Sequence, residues 1–421
     1  MVSRRPCSCT SDRSRRPSTC TKPVNTTLPP LDPAALIDLL SRPPTLTESS
    51  PAGSTYAREH SLLSRGWTGL SASNTIDPPA SNPCRVVGRP HGKRIPLAIP
   101  TSASAVSTAP DRLRTSVAAA HERFRSVNEG EVASYIPALA KVPAGLFGVC
   151  VVETSGAVHS AGDSEHEFSI QSVSKPFVFA LVCQAIGEDE ARRKLGVNST
   201  GLPFNSVIAI ERTEDGTTNP MVNAGAIAAA SLAPGATAAA KWQFLQEGLS
   251  RFAGRRLTLD AEVYESESAT NRRNEVAAKL LQSYDRIFFD PIQSTDIYTR
   301  QCSLNVNARD LAAMAATLAN GGVNPLTGEP VIDAIHCQHV LAVMVTAGLY
   351  ENSGDWLYET GLPGKSGVSG GMVAVAPGKG GLGTFSPPLD PSGNSVRGRL
   401  AAGFLSEQLG LNLFASHPAG R

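Results

Sequence analysis

The feature that most constrains this chain is a change of character near Asp111. Ahead of it, residues 1 to about 108 are dense in Pro, Ser, Thr and Arg, with apolar residues only scattered among them. Such a stretch cannot bury enough surface to offset the entropy of ordering it. Residues 1–110 are therefore expected to form a disordered extension, with at most one short helix over Ala34–Leu40. Behind the break, apolar residues recur with regular periods, so residues 111–421 must supply the whole of the folded core.

The extension also bears on location. MVSRRPCSCTSDRSRRPSTC carries arginines but no apolar stretch of the kind a secretory signal requires. It is Arg- and Ser-rich and nearly free of acids, as organellar transit peptides are, yet it is rich in proline and has no amphipathic period. A cytoplasmic location is the expectation. No apolar run approaches the ~20 residues that span a bilayer. With a net charge of +1, no long-range field draws the chain to nucleic acid or to an anionic membrane, and neither is expected as a partner.

Cysteine usage narrows the chemistry. Cys7, Cys9, Cys20 and Cys84 lie in the polar N-terminal part, whereas Cys150, Cys183, Cys302 and Cys337 stand singly among apolar residues. The second set reads as small buried hydrophobes of a reducing compartment. There is no C-x-x-C pair and no H-E-x-x-H, so no metal site and no cofactor is expected. His336 and His339 flank Cys337 and are expected to be partly exposed residues on one helix face.

Leu113, Val117, Phe124 and Val127 suit a helical stripe ending before Gly130. Phe147–Val152 is a β-rich run followed by Ser155-Gly156 and a second extended piece, which predicts a hairpin. Lys241–Ala253 reads as a helix closed by Gly254. Asn307 with Asp310 makes a capping pair for a helix that stops at Gly321-Gly322. Met372–Ala376 reads as a strand, and Val396, Leu400 and Phe404 mark a last helix stopped by Gly410. Strands at both ends with helices between them predict an α+β domain whose sheet joins distant segments: sheet-forming ends over about 111–170 and 360–415, and a helical middle over about 172–350.

The sharpest local motif is Ser172-Val173-Ser174-Lys175, which opens an apolar helix through Phe177 and Leu181, with Pro176 in the first turn where its missing N–H costs nothing. Ser172 and Lys175 are three apart and share a helical face. A serine hydroxyl is a poor nucleophile until a neighbour removes its proton, and a desolvated lysine can do so. The helix N-terminus adds N–H groups aimed at developing negative charge. Alone, S-x-x-K is weak, since a first helical turn carries a surface serine and lysine by chance. A second element, Gly364-Lys365-Ser366-Gly367 ahead of the strand at Met372, has the order and context of the K-T-G that lines such serine sites, but also reads as a Gly-rich loop entering a strand. Asn219-Pro220-Met221-Val222-Asn223-Ala224-Gly225-Ala226 joins a polar turn to a small-residue helix, and Ser266-Glu267 with Arg273-Asn274 offers a carboxylate and an amide.

In this order and at this spacing, these segments resemble the glutaminase family of bacteria and animal mitochondria. The likeness runs over roughly 111–413 through Tyr135-Ile136-Pro137, the Ser172 segment, Gly201-Leu202-Pro203-Phe204-Asn205, Asn219–Ala226, Cys302-Ser303, Met314–Gly322, Gly361-Leu362-Pro363, the Lys365 element and Ser386–Asp390 with Gly393–Val396. The resemblance implies a serine β-lactamase/penicillin-binding-protein-like fold, with a central antiparallel sheet flanked by helices beside a mostly helical lobe. It implies Ser172 as nucleophile, Lys175 as base and Tyr350 as a proton relay, with the N–H groups of Ser172 and Val368 as oxyanion donors. Asn223, Glu267, Asn274 and Tyr298 would bind the amino-acid portion of L-glutamine, and Tyr135 and Gln171 would complete the wall. It also implies a homo-oligomer, a dimer or a tetramer. Around the acidic motif the chain departs from the family pattern, with Asn271-Arg272 ahead of Arg273. A β-lactamase or D,D-peptidase is the runner-up, disfavoured by the missing S-D-N triplet and the lack of an export signal. A glutamine-binding protein without catalysis is the other alternative, and the intact Ser172/Lys175 pair argues against it.

Overall fold

The computed structural model describes residues 109–416, and side chains from 111 onward. These residues fall within one compact unit, Ala98–Arg421. The extension, Ala34–Leu40 and the first four cysteines lie outside the described residues.

The strands are β1 (Gly148–Glu153), β2 (Val158–Gly162), β3 (Phe168–Ser169), β4 (Asn305–Val306), β5 (Gly364–Ser366), β6 (Gly371–Ala376) and β7 (Gly380–Phe385). Five of them make an antiparallel sheet in the order β2-β1-β7-β6-β5, and β3 pairs with β4 in a short separate ladder. The expected hairpin is β1–β2, with Gly148 opposite Gly162. Its other edge pairs with β7, Gly148 opposite Phe385, which closes the two ends of the unit onto each other.

The helices are α1 (Ala109–Phe124), α2 (Ser174–Ile186), α3 (Glu188–Leu195), α4 (Ile208–Glu211), α5 (Asn223–Ser231), α6 (Ala238–Ala253), α7 (Ala261–Thr270), α8 (Arg272–Ser283), α9 (Pro291–Cys302), α10 (Ala308–Ala319), α11 (Ala334–Ala347), α12 (Ser353–Thr360) and α13 (Val396–Leu409). α1 and α13 cover one face of the sheet, where Val149, Met372, Ala374 and Leu382 pack with Val117, Ala401 and Leu405. The residues between them in sequence, Cys150, Val152, Val373 and Val375, point the other way into the larger core shared with α2, α5, α6, α9 and α10. This two-residue alternation with both faces covered is what a central sheet requires.

Close approach of α10 decides the composition of β7. A Cβ on Gly381 would lie 2.2 Å from the nitrogen of Ala316, and one on Gly383 would lie 2.1 Å from the oxygen of Ala308. The Ala-rich helix therefore seats its backbone on a Gly-rich strand. α10 begins with the predicted capping box: Asp310 N–H donates to Asn307 Oδ1 at 2.8 Å, and Asn307 N–H donates to Asp310 Oδ2 at 3.0 Å. Arg255 locks the same carboxylate, with Nη2 2.7 Å from Oδ2.

Helix ends follow their signals. α6 starts at Ala238, three residues before the predicted Lys241, because Thr237 Oγ1 accepts from Ala240 N–H at 3.2 Å. It ends at Gly254 with φ 75°, and α13 ends at Gly410 with φ 61°. Cys150, Cys183, Cys302 and Cys337 are buried free thiols. One expectation is overturned. His336 is buried, its Nδ1 3.2 Å from Glu188 Oε2, because this side of α11 packs on α2 and α3; His339 is exposed as expected.

Candidate active site

Ser172 lies in a single 3-10 turn, Gln171–Val173, immediately ahead of α2. Gln171 holds φ at 50°, a left-handed backbone that a non-glycine residue adopts only when its surroundings force it. Here they do. Ile170 N–H is tied to Leu304 O at 2.8 Å, Gln171 O accepts from Ser174 Oγ at 2.8 Å, and Gln171 Nε2 donates to Glu267 Oε2 at 3.1 Å. The strained residue aims the Ser172 turn and joins it to the acid on α7.

Lys175 stands in the first turn of α2 and is buried. Its Nζ donates to Asn223 Oδ1 at 2.7 Å and faces the Tyr298 ring at 5.7 Å. No carboxylate forms an ion pair with it among the described residues, and burial lowers its pKa to about 8, with Cys302 and Glu267 opposing. The same enclosure acts on Glu267 with the opposite sign: burial raises its carboxyl to about 7, against the pull of Gln171 and Lys175.

Tyr350 is the second strained residue, at φ 56°, in a 3-10 turn that follows α11. Its hydroxyl donates to Ser366 O at 3.0 Å, and Ser172 stands beside it. Burial raises its phenol above the usual range, outweighing the opposing influence of Ser172 and Ser366. The lysine of the K-S-G stretch does not line the cleft. That stretch is itself the edge strand β5, and fully buried Lys365 donates to Gly348 O at 2.9 Å and Ser366 O at 2.8 Å, with Nζ 4.1 Å from the Tyr350 ring. It backs the tyrosine from behind, and desolvation holds its amine well below the usual lysine range.

α5 brings in Asn223, the first residue of that helix, whose start is explained by packing. Buried Asn219 donates to Val197 O and Asn198 O at 3.0 Å and to Thr346 Oγ1 at 3.1 Å, while its Oδ1 accepts from Met221 N–H at 2.9 Å. A Cβ at position 225 would stand 2.1 Å from Asn219 O, so only glycine fits there. Asn223 Nδ2 then donates to Asn274 Oδ1 at 3.1 Å, and Asn274 Nδ2 donates to Asn271 Oδ1 at 2.6 Å. Asn271 anchors this amide relay to Thr299 on α9 at 2.5 Å. Tyr298 OH donates to Asn223 Oδ1 at 3.2 Å.

These groups surround one cleft of about 310 Å³. Gln171, Ser172, Asn223, Glu267, Asn274, Tyr298 and Val368 line it, and half-exposed Tyr135 stands at its rim. Lys175 and Tyr350 lie beneath the lining. Reasoning from sequence did not nominate Phe204, Asn205, Asn271 or Arg273 for the wall, although all four line it. Gly201–Asn205 was visible as a motif, but nothing local gave Phe204 a place beside Tyr350, where their ring centroids lie 4.4 Å apart. Among the described residues no group of three His, Cys, Asp or Glu side chains could hold a metal ion, and no helix is long and apolar enough to cross a membrane.

An antiparallel sheet sandwiched by helices, a helical lobe beside it, and a buried Ser-x-x-Lys turn at the head of the central helix define a serine β-lactamase-like hydrolase fold. The family profile described as Glutaminase matches residues 130–414. Glutaminase 2 of Yersinia pestis is 63% identical over 309 residues, which make up 73% of this chain and 91% of that protein. A glutaminase of Brucella canis is 48% identical over 311 residues, 74% of this chain and 98% of its own length. Among solved structures, a probable glutaminase aligns with a TM-score of 0.72 at 45% identity, covering 74% of this chain and 100% of that one. A probable glutaminase from Bacillus subtilis complexed with 6-diazo-5-oxo-L-norleucine aligns with a TM-score of 0.65 at 30% identity, covering 75% and 100%. The chain belongs to the glutaminase family.

Proposed function

We propose that the protein hydrolyses the side-chain amide of L-glutamine to L-glutamate and ammonia through an acyl-enzyme on Ser172. Ser172 Oγ forms a bond to the amide carbon as its proton passes to the neutral amine of Lys175. The tetrahedral oxyanion is held by the N–H groups of Ser172 and Val368. The C–N bond then breaks, the proton moves by way of Lys175 and Tyr350 to the departing ammonia, and water cleaves the glutamyl ester by the reverse relay. Glu267, ionised, takes the α-ammonium. Asn223, Asn274 and Tyr298 supply neutral polar groups around the amino-acid end, and Tyr135 and Gln171 close the wall.

One observation carries this reading: a lysine with no acid partner, buried one helical turn from Ser172, with a pKa brought down to about 8. Lys365 is buried and depressed too, but it spends its amine on two backbone carbonyls behind Tyr350, whereas Lys175 bonds the cleft residue Asn223 one helical turn from Ser172, where a base would be needed. The Bacillus subtilis relative's complex with an amino acid bearing a reactive ketone at its fifth carbon points to the same substrate class. Ammonia release measured on wild type, Ser172→Ala and Lys175→Ala tests it. Each variant is expected to lose on the order of 10³-fold or more in kcat; undiminished turnover by Ser172→Ala removes the mechanism. The resemblance further implies a dimer or tetramer, and multi-angle light scattering on the purified chain decides between these and a monomer.

A further inference from the structure

The lining of the cleft carries two ionisable charges of opposite sign, Glu267 and Arg273. Glu267 is buried and already engaged by Gln171. Arg273, in the first turn of α8 and one residue before Asn274, is exposed, and its Nε donates to Asn205 O at 2.7 Å. That bond fixes the plane of the guanidinium. It makes no ion pair, and its two terminal nitrogens meet no hydrogen-bond acceptor among the described residues. Arg273 and Glu267 do not pair with each other either, so each keeps its charge for a third party.

An α-amino acid entering this cleft is a zwitterion. Its ammonium has a counterpart in Glu267, but the other wall groups that could meet its carboxylate, Asn223, Asn274 and Tyr298, are uncharged, with the Tyr298 hydroxyl and one amide N–H of each asparagine already engaged. A guanidinium with both terminal nitrogens open matches a carboxylate in geometry and in charge. We infer that Arg273 is a specificity-determining residue that recognises the substrate's α-carboxylate, restricting the site to amides of free α-amino acids. The bond to Asn205 aims the side chain and ties it to the same wall that carries Phe204. This inference rests on the amide-hydrolase reading given above.

The test compares L-glutamine with L-glutamine methyl ester, whose α-carboxylate is masked, and reads ammonia so that only amide cleavage counts. Wild type is expected to favour L-glutamine. Arg273→Gln is expected to lower kcat/KM for L-glutamine by about 10- to 100-fold, mainly through KM, while changing that for the ester by less than about threefold. Arg273→Lys keeps the charge and is expected to recover part of the loss. Equal losses on both substrates, or no loss on either, overturn the inference. Should Arg273→Gln fail to fold, the decision passes to wild type in rising salt. Screening is expected to raise KM for L-glutamine more steeply than for the ester, which keeps only the Glu267 pair, and parallel behaviour of the two overturns the inference. Wild type releasing no ammonia from L-glutamine would instead sink the hydrolase reading itself, so the two failures are distinguishable.

Discussion

Burial draws Lys175 and Glu267 toward one another on the pH scale, the amine down to about 8 and the carboxyl up to about 7. The functional consequence has one sign. Lys175 accepts a proton only when neutral, a fraction that grows as pH rises through about 8. Glu267 holds an ammonium only when ionised, a fraction that grows as pH rises through about 7. The kcat/KM for glutamine is therefore expected to climb between about pH 6 and pH 9, with KM following Glu267 and kcat following Lys175. Glu267→Gln should raise KM and remove the lower limb; a flat profile across that range contradicts both assignments. Stability answers to the same lysine. Its folded pKa lies below the 10.5 of an unfolded lysine, so unfolding takes up a proton between about 8 and 10.5 and stability rises with pH across that window. Below it, the depressed amine is a constant cost. Lys175→Met, which leaves Asn223 Oδ1 its bond from Tyr298, is expected to raise Tm at neutral pH by about 2–4 °C while abolishing turnover, as read by calorimetry beside the ammonia assay. Ser172 and Lys175 were legible as a motif because they stand three residues apart at one helix start. Asn271 was legible only as a departure, because its use depends on Thr299, which reaches it from another helix.

At the scale of elements, legibility followed the range of the interaction. The capping box of α10, the glycine stops of α6 and α13 and the β1–β2 hairpin are settled within a few residues, and each could be read directly. β7 could not. Gly-Gly-Leu-Gly-Thr-Phe has the wrong composition for a strand by propensity, and Gly381 and Gly383 are required by α10, whose sequence lies some sixty to seventy-five residues earlier. Gly383→Ala is expected to destabilise the protein by about 1–3 kcal/mol or more, because the new methyl meets a helix carbonyl rather than a flexible side chain. A melting curve within a degree of wild type would show that α10 can give way. Asn307→Ala, which removes the cap bond and a 3.2 Å bond to exposed Glu165 but leaves the Arg255–Asp310 pair in place, is expected to cost only about 1 kcal/mol in urea titration.

Over the whole molecule, a match to 98% of the Brucella canis relative uses only 74% of this chain. Residues 98–421 are accordingly expected to fold and to release ammonia from glutamine with kcat/KM within about twofold of the full chain, and a soluble but inactive product would assign the preceding residues a part in catalysis. The sequence by itself determined the α+β class with its sheet drawn from both ends, and the start of a helix at the Ser172-Val173-Ser174-Lys175 motif, since each is written in period or in neighbours along one helix. Only the tertiary structure decided that Lys365 backs Tyr350 instead of facing the cleft, that His336 is buried, that a glycine-rich run is a central strand, and that Phe204 and Arg273 reach the site. In every one of these the deciding partner is a surface that comes near only once the sheet has closed on itself, and no local rule of spacing carries that information.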